Sequence, residues 1–286
     1  MLPPRSFPLP AGPLKSSDHT KAYDLSSGWW PGMPVADAHP PLQVTTYRTP
    51  QGMRADAVFP FADGANKENY AFISEVVSTT MHAGTHIDAL CHVTDGDDDS
   101  WYGDHSAREY LGDFGALRDD ATELPPFLTR GVLLDIPRAL GVERLEGGQP
   151  VGPAELEAAC HQQGVTPQAG DVVLLRTGFM REWPDSQAMS ASAQPGLSLS
   201  GAQWLRRLDP VLVGADNTSL EVSPSGVPGE PQPVHRYLIR QHGIPILEWV
   251  YLEDLAADQV SEFFFIAVPL PIRGATGSLV RPLAIG

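Results

Sequence analysis

From residue 131 to residue 177 the chain reads GVLLDI (131–136), then PAELEAACHQQ (153–163), then DVVLLRT (171–177). The first and third segments are short and apolar at both sets of alternating positions, the mark of strands buried on two faces. The middle segment opens on Pro153 at a first-turn position and stops at Gly164, which predicts a helix. Outward from this unit the alternation continues. Residues 210–215 (PVLVGA), 244–249 (IPILEW) and 262–268 (EFFFIAV) are further apolar strands. Residues 200–208 are a helix opened by Ser200 with Gln203 three residues later, and residues 234–242 are a helix running into Gly243. Toward the N-terminus the pattern is mostly strand and loop, with strands at 44–48 and 72–80. The expected fold class is α/β: one central mixed sheet, partly parallel, with flanking helices.

Prolines at positions 3, 4, 8, 10 and 13 forbid a helix or a central strand near the start. Residues 1–22 are therefore expected to form an irregular Pro-rich arm and residues 23–286 a single domain. With 42% hydrophobic and 19% charged residues the chain has the composition of a globular protein. Its formal net charge of −16 repels phosphate backbones and anionic lipid, so neither nucleic acid nor membrane is an expected partner. The apolar run at 263–270 is too short for a bilayer. Two cysteines, Cys91 and Cys160, make no disulfide framework, and a cytoplasmic location is expected.

One cluster carries chemistry: His82, Gly84, Thr85, His86, Asp88 and His92 within residues 81–92 (MHAGTHIDALCH). Imidazole and carboxylate are ligands for divalent metals. Gly84 and the β-branched Thr85 and Ile87 disfavour a helix. In an extended segment His82, His86 and Asp88 share parity and project into one cavity, with Gly84 leaving room beside them. Two histidines and a carboxylate leave coordination positions open, as catalysis requires. The acidic run 95–99 lacks the spacing of a calcium loop and reads as a solvated turn. No nucleophile elbow, P-loop or dinucleotide fingerprint is present.

These residues resemble the H-x-G-T-H-x-D-x-P-x-H motif of the cyclase family of metal-dependent hydrolases, which includes bacterial kynurenine formamidases and isatin hydrolases. Leu90 stands where many members have Pro, a departure shared with the isatin hydrolase side. Asp24-Leu25-Ser26 with Gly32-Met33-Pro34, the two strand segments quoted first, Ala215-Asp216-Asn217, and the closing stretch from Gly274 to Pro282 resemble further family segments. The resemblance implies the family's swivelling β/β/α architecture and a homodimer or larger homo-oligomer. It also implies a manganese or zinc ion held by His82, His86 and Asp88, with His92 as the proton-transfer residue. His235 and Glu248 are similar to a second metal position of the formamidases; the alternative is a surface histidine and a salt-bridged glutamate. The implied activity is opening of an amide or lactam C–N bond in an isatin-like or arylformamide-like small molecule. A lactone or ester hydrolase, a cyclase with the same site, and a metal-binding protein without turnover are the alternatives. For an aryl substrate the pocket would be flat and partly apolar, with Trp29, Trp30, Phe59, Phe61, Tyr70 and Trp101 available as walls.

Overall fold

The computed structural model describes residues 6–8, 21–36, 38–62, 64, 66–185, 189 and 193–286. Its strands of three or more residues are β1 (Ser6–Pro8), β2 (Lys21–Asp24), β3 (Gln43–Arg48), β4 (Ser74–Ser78), β5 (His86–Asp88), β6 (Phe127–Asp135), β7 (Val172–Arg176), β8 (Leu212–Ala215), β9 (Ile246–Glu248), β10 (Glu262–Ala267), β11 (Gly277–Leu279) and β12 (Leu283–Ile285). Ten of them form one sheet in the order β1-β2-β12-β10-β6-β7-β8-β9-β5-β11. β6 to β9 are parallel neighbours, and the remaining pairings are antiparallel. The fold is therefore the expected mixed α/β sheet.

The first helix, α1 (Pro50–Ala55), lies between β3 and β4. The central strands are apolar along most of their length because both faces are covered. Val132, Leu134, Val173, Leu175, Val213 and Ile246 pack against helices, meeting Leu156 and Ala159 of α2 (Pro153–Gln163) and Ala202 and Leu205 of α3 (Leu199–Arg206). Their alternating neighbours Leu133, Leu174, Leu212 and Leu247 face a second core with Ile87, Phe263 and Phe265. α2 has the predicted bounds, and the Gly152 amide donates to Glu155 at 2.8 Å at its start. α3 is capped by Ser198, whose Oγ accepts from the Gly201 amide, and not by Ser200. The third helix begins as α4 (Pro233–His235) and continues as a π-helical turn over Arg236–Gln241.

The N-terminal expectation changes at one place. Residues 6–8 pair with β2 at the end of the sheet, where a proline removes no ladder bond, and Lys21 and Ala22 already belong to β2. The rest of the Pro-rich arm, residues 1–5 and 9–20, lies outside the described residues.

β3 and β4 form a separate antiparallel ribbon, exposed along nearly all of its length. It leaves the body shortly after His39 and returns shortly before His82. β5 lies between β9 and β11, with His86 opposite Glu248 and Leu279, and Asp88 opposite Ile246 and Gly277. That register brings the histidine motif to a late segment of the chain.

Candidate metal centre

The extended segment of the motif covers only residues 86–88. His82 and His92 approach on turns to either side of β5, so strand parity is not what gathers them. The turn before β5 is held by reciprocal bonds. The Ser27 amide donates to Thr85 Oγ1 at 2.7 Å, the Thr85 amide donates to Ser27 Oγ at 2.9 Å, and Thr85 Oγ1 donates to the Trp249 carbonyl at 2.6 Å. Thr85 thus fastens the start of β5 to the residue after Glu248. Gly84 has φ +56, and a Cβ there would meet Ser27 Oγ at 2.5 Å and Met33 Cε at 2.8 Å. The space beside Gly84 is filled by the scaffold and leaves no room for an ion or substrate, contrary to the sequence expectation.

All six candidate side chains converge on one place. Asp88 Oδ1 lies 2.8 Å from His82 Nδ1, 3.4 Å from His86 Nε2 and 4.0 Å from His92 Nε2. Glu248 lies 3.4 Å from His86 Nε2 and 3.0 Å from His235 Nε2, and His235 Nε2 is 3.7 Å from Asp88 Oδ2. Among the described residues, donor atoms within 4.8 Å of one another form two sets that share Asp88: His82, Asp88 and His92, and His86, Asp88 and Glu248. The sequence had separated His92 from the ligands; the geometry groups it with His82 and Asp88. His235 is buried and not a surface histidine, while Glu248 is buried and paired with His235 and His86, as the salt-bridged alternative for it has it.

The donors suit a divalent cation. His86 Nδ1 donates to the Gly84 carbonyl at 2.7 Å, which leaves the Nε2 lone pair facing Asp88 and Glu248. Asp88 Oδ2 is buried with no hydrogen-bond partner. An unsatisfied buried acceptor costs about 1–3 kcal/mol, and more when charged. A cation beside it removes that cost.

The electrostatics are those of an acid–base cluster. Burial raises the Asp88 carboxyl, but the imidazoles of His92, His82 and His86 outweigh it and hold Asp88 well below the ordinary carboxylate range. Burial and the Asp88 charge raise Glu248, against the pull of His235. Burial lowers His235, but its bonds to Glu221 and Glu248 reverse this and raise it well above an ordinary histidine. His92 is pushed down to about 3 by burial, with the surrounding imidazoles reinforcing and Asp88 opposing, so its ring is neutral at pH 7. About a quarter of the His92 side chain is exposed, and it stacks on His82 with centroids 4.0 Å apart.

Three further residues join the site that sequence reasoning did not single out. Glu221 Oε1 lies 2.5 Å from His235 Nδ1 and fixes that ring. Thr276 Oγ1 lies 2.9 Å from His82 Nε2. His39 stacks on His82 at 5.1 Å. A glutamate inside the apolar 220–222 run was a usable signal for Glu221, and Thr276 lies in the closing stretch already quoted; a lone histidine among prolines gave none for His39.

The cluster opens into a cavity of about 410 Å³. A larger groove of about 640 Å³ includes none of the six donors in its lining. None of the six aromatic residues offered as walls lines the smaller cavity. Trp29 and Trp30 pack with Met33 and Trp183, Trp101 is buried against Ala89 and Cys91, Phe59 and Tyr70 are exposed, and Phe61 lies under Arg54.

The "Cyclase" family model matches residues 23–222, which include the whole histidine motif. The chain belongs to the cyclase family. A crystal structure of a novel cyclase is 30% identical, covering 93% of this chain and 86% of the other, with a TM-score of 0.78. Isatin hydrolase A from Labrenzia aggregata, bound to benzyl benzoate, is 19% identical over 92% of this chain and 93% of its own, with a TM-score of 0.67. Isatin hydrolase A from Ralstonia solanacearum is 20% identical over 92% and 91%, with a TM-score of 0.66. No curated protein matches. Family membership agrees with the resemblance carried by the motif, while His235, Glu248 and Thr276 lie beyond the matched segment.

Proposed function

We propose that this chain is a metal-dependent hydrolase that opens an amide or lactam C–N bond. The observation that carries this reading is Asp88 Oδ2, a buried carboxylate oxygen without a hydrogen-bond partner amid imidazole and carboxylate donors. Family membership and a fold like that of isatin hydrolases support it. Manganese or zinc suits these ligands; the motif assigns His82, His86 and Asp88 to the ion, with Asp88 common to both donor sets, and Glu248 and His235 form a second position. Such an ion, when bound, supplies an acidified water and polarises a carbonyl.

The chain's own residues do the rest. Asp88, ionised and shared by both donor sets, anchors the site. Glu221 holds the His235 ring, and Thr85 keeps β5 against β9. His92, neutral and partly exposed, accepts a proton at Nε2 from the attacking water. The water oxygen bonds to the acyl carbon, the C–N bond breaks, and the proton passes from His92 to the departing nitrogen. The products are a carboxylic acid and an amine, and the acid's proton passes to the amine, leaving a carboxylate and an ammonium group.

The test is hydrolysis by the purified chain, with manganese or zinc added, of a panel of amides, lactams and lactones. Metal-dependent release of amine from an amide or lactam supports the reading, and turnover of lactones alone overturns it. Among the described residues no helix is long and apolar enough to cross a membrane. Free Cys91 and Cys160 and the acidic composition support a cytoplasmic protein acting on small molecules.

We also propose a homo-oligomer built on the β3–β4 ribbon. Tyr47, Phe59, Tyr70, Ile73, Val76 and Val77, on the ribbon and the segment joining its strands, each expose more than half of their area. Consecutive strand residues point to opposite faces, so Val76 and Val77 give both faces of the ribbon exposed apolar side chains. A two-stranded ribbon is also marginal without cover. A second copy supplies that cover.

A further inference from the structure

The cavity beside the donors carries hydrogen-bonding groups over about half of its wall. Gln194, Thr218, Ser219, Ser223 and Gln232 line it, and Trp249 is the one phenylalanine, tyrosine or tryptophan among the lining residues described. Trp249 is only 2% exposed and offers little flat surface. The wall is also ordered: Gln194 Oε1 accepts from Thr218 Oγ1 at 2.7 Å and from the Thr218 amide at 3.3 Å. Among the described residues no lysine or arginine lines the cavity. A substrate carboxylate would find the cationic ring of His235 already paired with Glu221 and Glu248, and would lie near the Glu248 carboxylate.

A pocket for a fused aromatic ring needs broad apolar or aromatic walls. Here a bare aryl face would strip water from hydroxyl and amide groups and give nothing back. Sites built to hydrogen-bond reject analogues that lack the matching groups far more strongly than apolar pockets reject an extra group. A volume of about 410 Å³ admits one compact molecule.

Granting the hydrolase reading, we infer that the substrate is a compact, uncharged lactam or amide carrying additional amide or hydroxyl groups, and not an aryl lactam or aryl formamide. Gln232 and Ser219 are specificity-determining residues for it.

The test compares kcat/KM of the metal-loaded full chain on a cyclic ureide and a hydroxylated lactam with isatin and N-formylaniline. The polar pair is expected to be favoured at least tenfold. Gln232→Leu, at an exposed wall position, and Ser219→Ala are expected to raise KM for the polar pair several-fold more than they lower kcat. Preference for the aryl pair, or variants that leave KM on the polar pair unmoved, overturns this inference and leaves the hydrolase reading intact. No turnover of any of the four overturns both.

Discussion

His86 sits directly opposite Glu248 on paired antiparallel strands, with Nε2 and Oε2 3.4 Å apart. The same nitrogen is 3.4 Å from Asp88 Oδ1, so one lone pair faces two carboxylates. Glu248→Gln keeps the shape and removes the charge. It is expected to weaken manganese or zinc binding at least tenfold, read by metal titration of the purified protein. Unchanged affinity and stoichiometry would rule Glu248 out as a ligand.

His86 and His92 are expected to fail differently. His86→Ala removes a donor aimed at both carboxylates, so metal content and hydrolysis are both lost. His92→Ala retains the metal and loses about 10²–10⁴ in kcat, the usual contribution of a positioned acid–base group. Elemental analysis with a rate assay on both variants decides this. Normal turnover in His92→Ala refutes its role.

What the sequence disclosed follows from where each signal is local. The runs at 131–136 and 171–177 are buried on both faces, so their apolarity alone announces strands, and the 153–163 helix carries its own proline start and glycine stop. β5 is three residues long, too short for any periodicity, and was visible only through its chemistry. Glu221, Thr276 and His39 reach the site through tertiary convergence that no spacing encodes. Gly84 was legible as special but for another reason: it admits Ser27 and Met33. The aromatic residues close to the motif in sequence pack elsewhere or, as Phe59 and Tyr70, face solvent, since proximity along the chain does not set direction in a loop-rich half.

Asp216 gives a pH dependence independent of any metal. Burial, with the nearby Glu253 charge adding to it, raises its carboxyl to about 6, despite bonds from Thr177 and Gly178. The folded state then holds the proton more tightly than the unfolded chain. The stability this confers is complete below about pH 4 and is lost as pH rises through about 6; a shift of about two units corresponds to about 3 kcal/mol. Between pH 4 and pH 7, wild-type stability in urea should therefore fall by about that much more than the stability of Asp216→Asn. Parallel pH profiles for the two proteins contradict the assignment.

The exposed ribbon predicts self-association. Tyr47→Lys combined with Val76→Lys places charges on apolar ribbon positions. Sedimentation velocity is expected to show the wild type as a dimer or larger species and the double variant as a monomer. An oligomer that survives the substitutions places the interface elsewhere.

In the proposed site Asp88 anchors a cation shared by its neighbours. The most direct measurement is calorimetric titration of manganese and of zinc into metal-stripped wild type and Asp88→Asn, with circular dichroism confirming that both are folded. The expected result is one or two bound ions per wild-type chain and none at matched concentrations in Asp88→Asn. A wild type that binds neither metal, or an Asp88→Asn protein that binds as well as wild type, shows that Asp88 anchors no cation.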